Sequence, residues 1–243
     1  MKTPASLSEI ERFTLHASDG LVGKVKEFFF DDATWNVRYA VVELGSWLNS
    51  REVIVPASAL GRPDLLNSLL PVSLTKDQIE KCPASDEDMP LERRREDEMK
   101  KLSSQGIFYS WGEGFIGSHN LDIPEYERSE SLKESGNSGS DVHLRSSRFL
   151  RGGEAIATDG RAGHVRDFIV DSESWTIRDI VLEIGTLFDT KMVLIPRQWV
   201  RRISIDNAEF VLNVEKEKVN KSAVFNYHDL EQEMGSGLTS LRR

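Results

Sequence analysis

The chain has 243 residues, of which 39% are hydrophobic and 29% are charged, and its formal net charge at pH 7 is −9. The acidic balance argues against a nucleic-acid partner, because a surface that follows phosphates needs clustered basic residues. No window approaches the roughly 20 apolar residues of a membrane helix, and the start has no signal-peptide core. We therefore expect a cytoplasmic protein with protein partners and without membrane insertion.

Each half of the chain begins with two predicted strands. The first runs from Phe13 to Ala17 and ends at an Asp-Gly turn, and the second runs from Leu21 to Phe30. Val25 and Phe28 break the alternation of the second strand, and the same break recurs in the other half of the chain. A break at the same place twice predicts a β-bulge, which would help a small sheet to curl into a barrel.

Trp35 and Trp175 follow equivalent turn-forming sequences and precede a third strand. We expect them to cover one end of a barrel or the contact between the two copies. The third strand, Val37 to Gly45 in the first copy, is largely apolar on both faces, so something is expected to pack on each side. A fourth strand ends at a proline, a short strand is predicted at Pro71 to Leu74, and a short helix then begins with Thr75 as its cap.

Two charged positions of the third strand recur in both copies, as Arg38 and Arg178 and as Glu43 and Glu183. Charges near strand ends are commonly held by partners within the fold, which is the interpretation that we favour. The alternative is a binding or catalytic site at which these four side chains converge.

An internal duplication explains these recurrences. The stretch DGLVGKVKEFFFDDATWNVRYAVVELGSWLNSREVIVP from Asp19 aligns without a gap with DGRAGHVRDFIVDSESWTIRDIVLEIGTLFDTKMVLIP from Asp159, at an offset of 140 residues. Such self-similarity indicates repeated structural units. We predict a first unit over 1–83, a charged helix and an aromatic and Ser/Gly-rich linker over 84–151, and a second unit over 152–243 with a loose C-terminal tail.

The linker contains an unusual stretch, IFYSWGEGFI, at residues 107–116. It is too apolar to be left in water at little cost, yet its glycines interrupt any regular amphipathic element. We favour packing of this stretch onto one of the units over an exposed patch that binds a partner. The candidate interaction residues are the aromatic side chains of the linker and of the two turns: Phe108, Tyr109, Trp111, Phe115, Trp35 and Trp175.

Motifs for catalysis or metal binding are absent from the sequence. Cys82 is the only cysteine, so neither an intramolecular disulfide nor a cysteine-based metal site can form. The five histidines lack the spacing of metal ligands, and we find no GxSxG, Walker or zinc motif. We predict a non-enzymatic protein with no catalytic residues, no metal and no cofactor.

Four motifs occur in the same order in both copies: D-G-x-x-G-x-V, D-x-x-x-W, V-x-E-[LI]-G and V-[IL]-[VI]-P. They begin at Asp19, Asp31, Val41 and Val53 in the first copy and at Asp159, Asp171, Val181 and Val193 in the second. This pattern resembles the PRC-barrel family from about Phe13 to Cys82 and from Gly153 to Ser222. The resemblance implies an all-β fold of two small barrels in tandem with short flanking helices.

PRC-barrels are known from the cytoplasmic part of the photosynthetic reaction-centre H subunit and from a ribosome-maturation factor, and the resemblance implies a barrel that docks on other proteins. We therefore predict an adaptor that docks on or bridges protein partners, with self-association left open. One alternative is a ligand-binding or enzymatic cleft between the two barrels. Another is an accessory factor for ribosome or RNA maturation, against which the acidic charge argues.

Overall fold

The computed structural model of the protein describes residues 4–45, 50–85, 143–186, 189–204, 207–228 and 230. Apart from His143, these residues belong to one compact unit that contains both copies of the duplicated sequence. Most of the predicted linker and of the predicted C-terminal tail lies outside them. The described chain is mostly β, with short helices, as the sequence predicts.

The first repeat (residues 4–85) contains β1 (Pro4–Ser6), α1 (Leu7–Ile10), β2 (Thr14–Ala17), β3 (Gly20–Asp31), β4 (Val37–Leu44), β5 (Arg51–Pro56), a 3₁₀ turn (Ala57–Ala59), β6 (Leu69–Pro71) and α2 (Lys76–Glu80). The second repeat (residues 144–225) contains β7 (Leu144–Ser146), α3 (Ser147–Leu150), β8 (Glu154–Ala157), β9 (Gly160–Asp171), β10 (Thr176–Thr186), β11 (Asp189–Pro196), a 3₁₀ turn (Arg197–Trp199), β12 (Val200–Ser204), β13 (Glu209–Leu212) and α4 (Lys216–Asn220). Residues 144–150, which the sequence predicts to be linker, thus form a strand and a helix of the second repeat.

Each repeat forms one mixed sheet. The strand order is β5-β4-β3-β2-β6 in the first sheet and β11-β10-β9-β8-β13-β12 in the second. Within each sheet one neighbouring pair is parallel, β2 with β6 and β8 with β13. Among the described strands neither sheet closes on itself, because the strands at the two ends of each order do not pair with each other. Tandem barrel closure therefore stays a prediction.

The two repeats exchange their first elements. Strand β1 pairs with β9 of the second repeat, where Ala5 is opposite Val170, and β7 pairs with β3 of the first repeat, where Arg145 is opposite Phe30. Each repeat therefore extends an arm, β1-α1 or β7-α3, onto the sheet of the other. The two contacts are related by the same offset of 140 residues, so the repeats are arranged around a pseudo-twofold axis.

The predicted bulge is present in both copies. The pairing of β3 with β4 shifts between Val25 and Glu27, and the pairing of β9 with β10 shifts between Val181 and Leu182. A bulge of this kind bends the strand and increases its twist. The long strands β3 and β9 can therefore pair with one neighbour near their start and with the exchanged arm near their end.

The cores of the repeats match residue by residue. Three valine pairs have at most 1% of their surface exposed: Val25 and Val165, Val41 and Val181, and Val53 and Val193. Their burial confirms the alignment that the sequence predicts. At about 25 cal/mol per Å² of apolar surface, such side chains supply the main driving force for folding.

The motif D-G-x-x-G-x-V has a structural explanation in both repeats. The carboxylates of Asp19 and Asp159 accept hydrogen bonds from the first backbone N–H groups of α2 and α4, at 2.9 and 2.8 Å. Gly23 has a φ of 67°, and a Cβ at this position would collide with the carbonyl oxygen of Glu43. The motif thus provides a turn, a helix start and a close approach of two neighbouring strands.

Candidate functional site at the interface of the two repeats

Trp35 and Trp175 lie at the contact between the two repeats. The carboxylates of Asp31 and Asp171 accept backbone N–H groups of the following turns, which then end at the tryptophans. Trp35 and Trp175 have φ angles of 62° and 53°. This left-handed conformation is uncommon for a bulky residue, so the surrounding contacts must hold both tryptophans in place.

Both tryptophan side chains are buried, with 8% and 4% of their surface exposed. Trp35 stacks on Phe30 at a centroid distance of 5.7 Å, and Trp175 contacts Phe28 of the other repeat at 5.5 Å. Phe30 also contacts Phe168 across the interface, at 5.3 Å. The structure therefore places these two candidate interaction residues in an aromatic core shared by the repeats, and the interaction in which they take part is intramolecular.

Backbone hydrogen bonds cross the interface beside the aromatic core. The N–H of Val37 donates to the carbonyl of Trp175, and the N–H of Ile177 donates to the carbonyl of Trp35, both at 2.8 Å. On the pseudo-twofold axis the Oγ1 of Thr176 donates to the Oδ1 of Asn36 at 2.7 Å. Equivalent positions of the two repeats thus contact each other directly.

Each arm is fixed by a serine that donates to a carboxylate of the other repeat. Ser6 Oγ donates to Asp167 Oδ2 and Ser146 Oγ donates to Glu27 Oε2, both at 2.5 Å. Each serine oxygen also accepts a backbone N–H of its own short helix, from Glu9 or from Phe149. Because hydrogen bonds to a carboxylate are strong and Asp167 is fully buried, these contacts specify where each arm docks.

Further polar groups surround the carboxylate of Asp167. The N–H and Oγ of Ser8 donate to it at 3.1 and 2.6 Å, and the N–H of Phe168 donates at 2.8 Å. Tyr227 lies beside the same carboxylate; burial, together with the charge of Asp167, raises the pKa of this phenol. The arm, the sheet and the segment after α4 thus meet at one buried acid.

Two ion pairs make the interface unequal in its two halves. Glu11 pairs with Arg151, which occupies the equivalent position of the second repeat. Burial raises the pKa of Glu11, although the neighbouring guanidinium favours the ionised form. Arg145 pairs with Asp32 at 2.7 Å, with 8% and 9% of the two side chains exposed. Such buried pairs are costly to separate, because each leaves an uncompensated charge behind.

Three of the four recurring charged residues of the third strands are held by partners in the fold. Glu43 pairs with Lys26 at 2.9 Å, and Glu183 accepts from Arg166 Nε at 2.5 Å on the equivalent neighbouring strand. Arg38 pairs with Asp31 at 3.2 Å. Burial of Asp31 is outweighed by hydrogen bonds from the Thr34 backbone and from Arg38, so its pKa is lowered. These contacts support the structural interpretation of the recurrence.

Arg178 lines a polar groove of about 360 Å³ beside the interface. Asp171, Asp179 and Arg197 also line this groove. Burial raises the pKa of Asp179, and the charge of Arg178 opposes this shift. Arg197 donates from Nη1 to the carbonyls of Thr34 and Ile177 at 3.2 and 3.1 Å, so this side chain ties the two repeats together.

Metal binding and thiol chemistry find little support in the described part of the chain. Within these residues there is no group of three or more His, Cys, Asp or Glu side chains that could hold a metal ion. Cys82 has 1% of its surface exposed, and burial raises the pKa of its thiol to about 12. A thiol that is buried and protonated is a poor nucleophile. No helix in the described ranges has the length and apolar character to cross a membrane.

The other four candidate interaction residues lie outside the described residues: Phe108, Tyr109, Trp111 and Phe115. Sequence reasoning also missed the arms, because Ser6 and Ser146 lie before the first predicted strand of each copy. The signal was present in the sequence, since both serines keep the offset of 140 residues and so do Ile10 and Leu150.

A search of protein-family models found no match for the chain, and a search of curated protein sequences found none either.

Proposed function

We propose that this protein is a non-enzymatic adaptor of the PRC-barrel type that docks on or bridges other proteins in the cytoplasm. The ordered motifs that occur twice support the family, and the buried, protonated thiol of Cys82 is compatible with a reducing compartment. The duplication supports bridging, because two related units offer two related surfaces.

The observation that carries the proposal is the exchange of arms. In both halves of the interface a short strand from one repeat adds to a long strand of the other, and a serine of the added strand donates to a carboxylate on the receiving sheet. Addition of a strand to a sheet is a recurring mode of peptide recognition, in which backbone hydrogen bonds supply affinity and side-chain contacts supply specificity. This strand addition within the chain supports a role in which the repeats recognise extended segments of other proteins.

Exposed apolar side chains provide a way to test for partners. The large hydrophobic residues with more than half of their surface exposed among the described residues are Leu21, Leu66, Phe149 and Val224. Scattered apolar side chains are normal on a protein surface, whereas binding energy is concentrated in a few of them at an interface. Serine at these positions should leave the fold intact, so each variant can serve as a matched probe of binding.

The experiment is capture of partners by the full chain, followed by measurement of binding between purified proteins. Each captured protein is titrated against the parent chain and against Leu66→Ser and Phe149→Ser, which serve as matched probes. The proposal expects at least one purified protein to bind with a Kd of about 10 μM or tighter. It would be wrong if no captured protein binds in purified form, or if the chain instead converts a small molecule in the same preparations.

A second candidate function is ligand binding in the polar groove that Arg178, Asp179 and Arg197 line. The raised pKa of Asp179 favours this alternative, since perturbed carboxyl groups are enriched at functional sites. A thermal-shift screen of small polar metabolites with the parent and Arg178→Ala would test it. A Tm increase that the variant loses would support the groove, and no shift with any compound would exclude the tested classes. The acidic net charge of −9 argues against the third candidate, a role with RNA.

A further inference from the structure

Strand β12 forms one edge of the second sheet. It pairs with β13, and it has no neighbour on its other side among the strands that the structure describes. Its two arginines, Arg201 and Arg202, are exposed, and Ile203 and Ser204 are half-buried. An open edge of this kind offers backbone groups to which another extended chain can bind.

The pairing of β12 shows which backbone groups point outward. The N–H of Asn213 donates to the carbonyl of Trp199 at 2.8 Å, so alternate residues along β13 direct their backbone groups toward β12. Phe210 is out of phase with Asn213, and it is opposite Ile203. Phe210 and Ile203 therefore face each other without mutual hydrogen bonds, and the N–H and carbonyl of Ile203 point away from β13.

The first repeat differs at this edge. Its equivalent segment, residues 60–64, forms isolated bridges at its two ends instead of a strand. Pro63 occupies the position that is equivalent to Ile203. A proline has no N–H to donate, and it is tolerated in an edge where that group would face outward. The two repeats thus share a backbone path, but at this position only the second keeps an outward N–H.

The second repeat also adds charge and an aromatic ring beside this edge. Trp199 is half-buried at the start of β12, and the Nζ of Lys218 lies 4.6 Å from the centre of its ring. The first repeat has uncharged, non-aromatic residues at the positions equivalent to Trp199, Arg201 and Lys218: Ala59, Gly61 and Gln78. The features that could recognise an acidic chain are therefore concentrated in the second repeat.

The charge of this edge indicates which kind of chain it fits. Arg201, Arg202 and Lys218 are positive, whereas β13 contributes one acid, Glu209. A second copy that paired through its own β12 would bring the arginines of the two copies together, and like charges destabilise a strand pair. Acidic side chains on a different chain would instead face these cations. Addition of an extended segment to a sheet edge is a recurring mode of recognition.

We propose that the outer edge of β12 is the docking site for an extended, acidic segment of a partner protein. The segment adds to the second sheet as a further strand, with backbone hydrogen bonds to Ile203 and carboxylates near Arg201 and Arg202. Trp199, at one end of the edge, is a residue type that often carries interface energy. This inference rests on the proposed adaptor function, and it assigns the docking surface to the second repeat alone.

The test uses a short synthetic peptide, blocked at both ends, in which glutamate alternates with valine. A control peptide has lysine in place of glutamate. Each peptide is titrated into the full chain, and binding is followed through the backbone amide signal of Ile203 in ¹H–¹⁵N spectra. We expect the acidic peptide to bind with a Kd below about 1 mM and the lysine peptide to bind at least about tenfold more weakly.

Variants of the edge separate its backbone contribution from its charge. Ile203→Pro copies the first repeat and should weaken binding of the acidic peptide about tenfold, whereas Ile203→Ala keeps the N–H and should weaken it less than about threefold. Arg201→Ser/Arg202→Ser should also weaken binding about tenfold. Arg62→Ser, at the position equivalent to Arg202, is the matched control and should leave the Kd within about twofold. If Ile203→Pro does not fold, the arginine variant decides.

Equal binding by the parent and these edge variants would overturn the inference, and so would failure of the acidic peptide to bind the parent. A shift of the Ile203 amide on dilution of the chain alone would assign the edge to a second copy. Slow hydrogen exchange of this amide in the free chain would assign the edge to a cover within the chain, and either result contradicts docking of a partner.

The same variants distinguish this inference from the adaptor function itself. A captured protein that binds Ile203→Pro as tightly as the parent would reject the β12 edge as its docking site and would leave the adaptor function standing. Capture that gives no binding protein would contradict the adaptor function, whatever the result with the peptides.

Discussion

The first and second repeats share a backbone path, but they differ where they contact each other. At the pseudo-twofold axis the first repeat places Glu11, and the second repeat places Arg151 at the equivalent position. In one half of the interface Arg145 of the exchanged arm pairs with Asp32. In the other half the equivalent residues are a buried alanine and a buried serine, Ala5 and Ser172. The serine hydroxyl has no hydrogen-bond partner.

These differences show that the interface favours contact between a first and a second repeat over contact between two identical repeats. A pair of first repeats would place Glu11 against a second Glu11 and would leave Asp32 beside an alanine. A pair of second repeats would place Arg151 against its own copy and would leave Arg145 beside a serine. Like charges in contact and unpaired buried charges each destabilise an interface by several kcal/mol. The two ion pairs therefore favour contact between a first and a second repeat.

The largest expected effect comes from the tryptophan that each repeat contributes to the shared aromatic core. Trp35→Ala and Trp175→Ala should each lower the free energy of unfolding by about 3 to 5 kcal/mol, because each removes a buried aromatic side chain from the shared core. Urea denaturation followed by circular dichroism measures the change. Trp175→Phe is the control and should cost less, since it keeps an aromatic ring in contact with Phe28. Unchanged midpoints for both alanine variants would mean that the tryptophans do not hold the repeats together.

The next largest loss of stability is expected for the ion pair between Arg145 and Asp32, which is present in only one half of the interface. Arg145→Ala should cost about 3 kcal/mol, because it removes the guanidinium that pairs with the buried carboxylate of Asp32. The double variant Asp32→Ser/Arg145→Ala reproduces the other half of the interface and should cost less than Arg145→Ala alone. The same denaturation experiment measures both. A double variant that is destabilised by the sum of the two single changes would show that Arg145 and Asp32 do not act as a pair.

A smaller effect is expected at the axis, where Arg151 is more exposed than Glu11. Arg151→Glu should cost about 2 kcal/mol, because it places two acids in contact. The exchanged variant Glu11→Arg/Arg151→Glu restores opposite charges and should recover most of this loss. Thermal unfolding of the three chains at matched ionic strength would show the recovery. If the exchange gives no recovery, the pair does not select unlike repeats.

The smallest effect compares Cys82 with Ser222, its equivalent in the second repeat. Burial raises the pKa of Cys82 to about 12. As the pH rises above the ordinary thiol pKa, the unfolded chain ionises first, so the stability contribution of the protonated thiol is present below about pH 8.5 and is lost above it. The difference in stability between the parent and Cys82→Ser should shift against the parent by about 2 kcal/mol between pH 8 and pH 10. A difference that does not vary with pH would show that the thiol is not buried as described.

Much of the architecture could be predicted from the duplication. The matched burial of the valine pairs and the bulge after Val25 both follow from a pattern that occurs twice. The cap of α2 was readable as well, since Thr75 forms a capping box with Gln78. These features depend on local chemistry or on alternation along one strand, which a sequence displays directly.

The exchange of the arms could not be predicted in the same way. Ser6 and Ser146 are equivalent in sequence, but the sequence does not say whether each arm docks on its own sheet or on the other. That choice depends on contacts between residues about 160 and 120 positions apart, which local patterns do not encode. The short strand predicted at Pro71 to Leu74 also lies earlier, at Leu69–Pro71, because β6 pairs in parallel with β2.

The central claim is that the two repeats form one interlocked unit rather than two separate modules. Backbone ¹⁵N relaxation of the full chain tests this most directly, with the amides of β3 and β4 compared with those of β9 and β10. Exchanged arms and a shared aromatic core require both groups of amides to report the same rotational correlation time. Two distinct correlation times, each typical of a unit of about half the mass, would contradict the account.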